Sequence, residues 1–154
     1  ETKYWIEYIC KRFENTGKHI SPELAEEICR LVDNHSSYVQ QLSWLLWIRT
    51  INTATTEQLT YALEDLLDQN NILFQSETEN LSAYQMNFLK AIVDGIHTKF
   101  SSKEVISKYN LGTSANIVRL KNALLQKELI ETNGKEIVLA DPVFGVWFKK
   151  EMLY

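Results

Sequence analysis

The chain has 154 residues, 45% of them apolar and 23% charged, with a formal net charge of −4; this excludes a disordered or low-complexity chain and suits one large domain or two small ones. The longest apolar run, Trp44 to Ile48, is far too short to span a bilayer and no basic-then-apolar leader opens the sequence, so a cytoplasmic protein with no membrane contact is expected. Cys10 and Cys29 have neither CxxC spacing nor a neighbouring histidine, which argues against a zinc site or a disulfide framework and reads both as small buried hydrophobes.

The first helix is predicted from Lys3 to Thr16, with Trp5, Tyr8, Ile9 and Phe13 on its buried face and Gly17 as the left-handed stop. Ser21-Pro22-Glu23 opens a second helix as N-cap, first-turn proline and dipole-facing acid, with Leu24, Ile28, Leu31 and Val32 as its stripe. A third, from Tyr38 to Arg49, is apolar on nearly every side and reads as central. Thr55 and Gln58 form a capping box that opens a fourth, with Leu59, Leu63, Leu66 and Leu73 in register. Gln75 to Asn80 is polar and reads as a linker or frayed helix end, placing a boundary near Asn80. Charge divides at the same point: residues 1–80 hold 6 basic against 13 acidic side chains, residues 81–154 hold 10 against 7.

Beyond Asn80, Ser82 and Gln85 form another capping box, with Leu81 and Met86 at staple positions, for a helix that runs to Asp94. Ser101 and Glu104 repeat the box for a short helix ending near Tyr109, and Asn110-Leu111-Gly112 turns the chain into a helix capped by Thr113 that buries Ile117, Leu120 and Leu124. Two β-prone runs then flank Asn133-Gly134, the pair that favours a type I′ hairpin turn. Three helices followed by a hairpin is the pattern of a winged helix-turn-helix. Asp141-Pro142 caps a last helix bearing Phe144, Trp147 and Phe148.

No Gly-rich phosphate loop, GxSxG elbow, HExxH or DxD pattern is present, and His19, His35 and His97 lie in separate segments, so neither a catalytic constellation nor a metal site is expected. The clusters Glu23-Glu26-Glu27 and Glu64-Asp65-Asp68 fall on the polar faces of helices and read as solvated. In the winged module, Thr113, Ser114, Asn116, Arg119, Lys121, Asn122 and Gln126, together with Asn133 and Lys135 at the wing, are the candidate contacts to duplex DNA, because such side chains suit base edges and phosphates. A polar outer face is also what any exposed helix carries, so a protein partner stays open. Trp5, Trp44, Trp47 and Trp147 all fall on apolar stripes and are expected in the core; aromatic surface left over would suit a neighbouring domain.

Val32-Asp33-Asn34-His35-Ser36-Ser37-Tyr38-Val39-Gln40-Gln41-Leu42, the module opening at Leu81-Ser82-Ala83-Tyr84-Gln85, and Asp141-Pro142-Val143-Phe144-Gly145-Val146-Trp147-Phe148 form an ordered series spread over essentially the whole chain. That series resembles the C-terminal region of archaeal-type P-loop ATPases, also found in bacteria such as the Bacteroides group, within the AAA+/STAND class. The resemblance implies a mainly α fold: a four-helix lid-like bundle over residues 1–80, then a winged helix-turn-helix with a two-stranded β-hairpin wing over residues 81–154. It also implies an N-terminal P-loop ATPase core as partner, lying outside this sequence, with ATP and Mg as cofactors of the parent protein and none held here. In such ATPases the segment matching Asn34 to Gln41 lies near the bound adenine, so the resemblance implies His35, Ser36, Tyr38 and Gln41 as candidate nucleotide-proximal residues; Ser36 departs from the proline that usually follows the histidine there. A chain opening Glu1-Thr2-Lys3, with no start methionine, fits an excised domain or proteolytic remnant. The function expected is a non-catalytic regulatory or interaction region of an ATPase. The alternative is a winged-helix transcriptional regulator or protein–protein interaction module unconnected with ATP.

Overall fold

The computed structural model describes residues 1–153, and the expected end of the winged module at Tyr154 lies outside them. Among the described residues the fold is mainly helical, with eight helices and one two-stranded antiparallel sheet. None of those helices is long and apolar enough to cross a membrane. Two compact units divide the chain, Glu1–Asn71 and a second beginning at Ile72.

The first unit contains α1 (Thr2–Asn15), α2 (Pro22–Leu31), α3 (Ser36–Arg49) and the greater part of α4 (Thr56–Glu79). α1 stops because Gly17, at φ 78°, lets the Gly17 N–H donate to the Glu14 carbonyl and the Lys18 N–H to the Phe13 carbonyl, at 3.0 and 2.9 Å. Ser21 caps α2 as expected, its hydroxyl oxygen accepting from the Leu24 N–H at 3.1 Å. The capping box of α4 is also present, with Thr55 and Gln58 each accepting from the other's N–H at 3.2 and 3.1 Å. Between these helices His19 bridges to the Asn52–Ala54 strand-like segment through two backbone bonds of 2.8 Å.

Ile9, Phe13, Ile28, Val32, Val39, Leu42, Leu46, Leu59 and Leu66 form the core of this unit, and Cys29 is buried among them. Burial pushes both thiols, Cys10 and Cys29, above the ordinary cysteine range, so neither is an activated nucleophile. The centrality expected of α3 is only half right. Ser37, Gln40, Gln41, Trp44 and Ile48 make one outward stripe; Trp44 is 59% exposed, and Ile48 is exposed too. Two apolar residues thus share a stripe with three polar ones, and the overall hydrophobicity of the helix hides it. Of the four tryptophans expected in the core only Trp147 is fully buried; Trp5 and Trp47 are half-buried.

The second unit contains the last turns of α4, then α5 (Ala83–Val93), α6 (Lys103–Tyr109), α7 (Ser114–Gln126), β1 (Ile130–Asn133), β2 (Glu136–Leu139) and α8 (Pro142–Met152). Gln75–Asn80 is therefore not a linker: α4 continues to Glu79, and the units divide inside that helix rather than after Asn80. The reason is Phe74, fully buried with its ring 5.4 Å from Phe144 and 5.6 Å from Trp147, while Leu73, expected in the core, faces solvent. Asp141 fixes the start of α8, one carboxylate oxygen accepting from the Val143 and Phe144 N–H groups at 2.9 and 3.1 Å. β2 is also gripped from its far side: the Ile137 N–H donates to the His97 carbonyl at 2.9 Å and His97 Nδ1–H to the Ile137 carbonyl at 3.0 Å.

Removing the Phe74 ring should cost about 3–5 kcal/mol, the usual range for Phe→Ala in a closed core, read as a lower denaturation midpoint of the second unit in Phe74→Ala. Glu77 supplies a pH test. Burial, and then the Asp141 carboxylate, push its carboxyl above the ordinary glutamate range. A raised folded-state value means that Glu77 favours folding when protonated and that this contribution is lost as pH rises. Glu77→Gln should therefore be the more stable protein at pH near 7, with the difference fading below about pH 4, near the ordinary glutamate value; urea midpoints at both pH values measure it.

Candidate interaction face of the winged helix

α6, the turn after it and α7 are positioned by a chain of local backbone choices. α6 begins one residue later than expected: Ser102, not Ser101, is the N-cap, its hydroxyl oxygen accepting from the Val105 N–H at 3.3 Å. Lys99, at φ 57°, makes the turn that closes with the Ser102 N–H on the Lys99 carbonyl, carrying buried Phe100 into a 4.5 Å stack on Phe88. α6 ends on Asn110 in the left-handed region, which drives Leu111 fully into the core. Gly112 follows at φ 87°; a Cβ there would sit 3.2 Å from Asn116 Nδ2 and 3.5 Å from the Tyr84 ring. Only glycine meets both the angle and the space.

α7 buries Ile117, Leu120 and Leu124, as its spacing predicts. Thr113 occupies its N-cap without a side-chain cap bond, so the expected hydroxyl cap is absent and Thr113 is exposed. Asn116 is the main correction among the candidate DNA contacts. It is half-buried, and its Nδ2 donates to the Leu111 carbonyl at 3.1 Å, closing the turn instead of reaching outward. A short polar side chain satisfying a nearby carbonyl is a local device that composition cannot distinguish from base readout. Ser114, Arg119, Asn122 and Gln126 are exposed and Lys121 is half-buried on the flank. The outward stripe also includes Ala115 and Val118, the latter 63% exposed, and nearby α5 contributes an exposed Tyr84.

The hairpin turn is shifted by one residue. Asn133 pairs with Glu136 as the last residue of β1, leaving Gly134-Lys135 as the loop. Gly134 alone has positive φ, 63°, which is the signature of a type II′ turn with glycine first and not of the type I′ turn expected at Asn133-Gly134. Lys135 and Asn133 are exposed at the wing, with Glu131 and Glu136 exposed beside them. With the unit starting at Ile72, its charge is ten basic against nine acidic side chains, so the basic excess counted from Leu81 nearly vanishes.

The other candidate group lies in the first unit. His35 is the N-cap of α3, its ring 4.8 Å from that of Tyr38; both are brought together, and Ser36 is exposed beside them. Gln41 lies one turn further on, donating from Nε2 to Ser37 Oγ at 2.9 Å. No group of three or more metal-ligating side chains occurs among the described residues.

Because Asn116 closes the turn, Asn116→Ala should lower stability by about 1 kcal/mol for the lost part-buried hydrogen bond, whereas exposed Asn122→Ala should change it by less than about 0.5 kcal/mol. Thermal melts of the two variants side by side decide this.

No curated protein matches the chain. A solved structure, a Walker-type ATPase of Pyrococcus abyssi, shares its fold over 94% of this chain with a TM-score of 0.69 at 19% identity, and the chain spans 41% of that protein. Residues 72–150, from the buried end of α4 through α8, match the family described as "Probable winged helix domain", and the chain belongs to that family.

Proposed function

We propose that this chain is the non-catalytic C-terminal region of a larger P-loop ATPase of the AAA+/STAND class, in which the helical unit acts as the lid of a nucleotide-binding core and the winged helix is a contact surface. The observation that carries this is the breadth of the likeness: helical unit and winged helix together, 94% of the chain, follow one Walker-type ATPase while spanning 41% of it. That protein is named a Walker-type ATPase; here ATP and Mg would belong to the core, and His35, Ser36, Tyr38 and Gln41 would be the lid's approach to the adenine. Such a region needs no catalytic group of its own and would work in the cytoplasm.

A protein is the better-supported partner for the α7 face. Val118, Ala115 and Tyr84 add apolar surface there, and a nearly balanced unit lacks the basic excess that draws a polyanion. A second reading, duplex DNA with α7 in the major groove, is favoured by one observation: Ser114, Arg119, Asn122, Gln126 and Lys135 all remain exposed.

The reading frame upstream of Glu1 should encode a GxxxxGK[ST] strand–loop–helix, and a frame without one overturns the ATPase assignment. The purified chain should release no phosphate from ATP. With mixed-sequence duplex at about 150 mM salt no retarded band is expected, because few phosphates can be neutralised; a band lost on Arg119→Ala or Lys135→Ala would establish the DNA reading instead.

A further inference from the structure

We propose that the cleft between α1 and α3 is a binding site for a flat aromatic organic anion, a carboxylate or sulfonate on a ring system. The cleft belongs wholly to the helical unit and encloses about 620 Å³, within the usual range of about 300–1,000 Å³ for small-ligand sites. Its lining includes buried Ile9 and Phe13, exposed Tyr8 and Trp44, and a wall formed by half-buried Trp47.

That wall is built, not incidental. The Trp47 indole N–H donates to Thr16 Oγ1 at 2.8 Å, and the Lys18 ammonium lies 3.9 Å from the Trp47 ring centroid while donating to the Trp47 carbonyl at 2.6 Å. One face of the indole is thereby covered by a cation and its edge is tethered, so the ring is held before any ligand arrives. The Thr16 and Ser43 hydroxyls in the cleft are committed: Thr16 donates to the Phe13 carbonyl at 2.9 Å and Ser43 to the Val39 carbonyl at 2.6 Å.

The charged group available in the cleft is Arg12. Its guanidinium lies 5.5 Å from the Tyr8 ring centroid and makes no ion pair among the described residues; the ion pairs of this unit are Arg30–Glu27 and Arg49–Asp65, both elsewhere. A guanidinium over a ring keeps its N–H edge free for a planar, two-oxygen anion. Gln40, exposed on the α3 side, adds an amide. An uncharged apolar filler would leave Arg12 unpaired, and a bare inorganic anion would leave Tyr8 and Trp44 in water. One ligand with both properties meets both demands.

The test uses the full chain and 8-anilinonaphthalene-1-sulfonate as probe, followed by energy transfer from tryptophan and by circular dichroism to check folding. One saturable site per chain is expected. Arg12→Gln should weaken it about tenfold, the scale of one charge-assisted contact, and Trp44→Ala should weaken it several-fold, while Ile72→Ala, at an exposed aliphatic residue of the other unit, should leave it unchanged. N-phenyl-1-naphthylamine, which lacks the sulfonate, should bind the parent more weakly and be indifferent to Arg12→Gln. Equal probe affinity in Arg12→Gln and the parent, several sites per chain, or equal affinity for the neutral compound would overturn the proposal. Arg12 is exposed and outside the core, so its variant decides the matter even if Trp44→Ala fails to fold. None of these readouts involves ATP turnover or DNA.

Discussion

The packing of Phe74 on Phe144 and Trp147 is the contact on which the second unit depends. Phe74 belongs by chain to the long helix α4 and by packing to the winged helix, where it meets two aromatic rings of α8 at edge and tilted angles. That contact recruits the final turns of α4, buries Thr78 with its hydroxyl on the Phe74 and Gln75 carbonyls, and sets Glu77 near Asp141. Asp141 in turn caps α8 and so aims Phe144 back at Phe74. The rings and the cap reinforce each other, and the family match begins at Ile72, just before this contact.

The division between units was hard to read because helical periodicity carries no information about which core a turn serves. In Gln75–Asn80 only Thr78 is buried, and a single buried position in more than one and a half turns after Phe74 looks like a fraying end. Caps were different. Ser21-Pro22, Thr55 with Gln58, Ser82 with Gln85 and Asp141-Pro142 each act through bonds spanning two or three residues, so their physics is complete within the local sequence. Where two local solutions compete, the sequence is ambiguous: Ser101 and Ser102 are both capable caps, and Asn133-Gly134 and Gly134-Lys135 are both capable turns. Tertiary pairing of β1 with β2 selected the second.

The candidate site was legible as a helix face and illegible as a set of contacts. Exposure of Ser114, Arg119, Asn122 and Gln126 follows from their spacing opposite Ile117, Leu120 and Leu124. The role of Asn116 does not follow, because its amide answers a carbonyl five positions back across a glycine turn. The α1–α3 cleft escaped for the opposite reason. Tyr8 and Trp44 sit at positions whose hydrophobicity argues for burial, and only the arrangement of neighbouring helices leaves them bare.

The grip of His97 on β2 has a consequence for how the wing can change. Both bonds involve Ile137 main-chain atoms, one residue beyond the Asn133–Glu136 pair that closes the turn, so the clasp holds β2 next to the tip of the hairpin. The wing is thus anchored close to its tip by main-chain atoms of β2, and no side chain of the Gly134-Lys135 loop takes part in either bond. Side-chain changes at the exposed Asn133, Lys135 and Glu136 remove neither bond, so the charge of the wing can be altered while the clasp on β2 is kept.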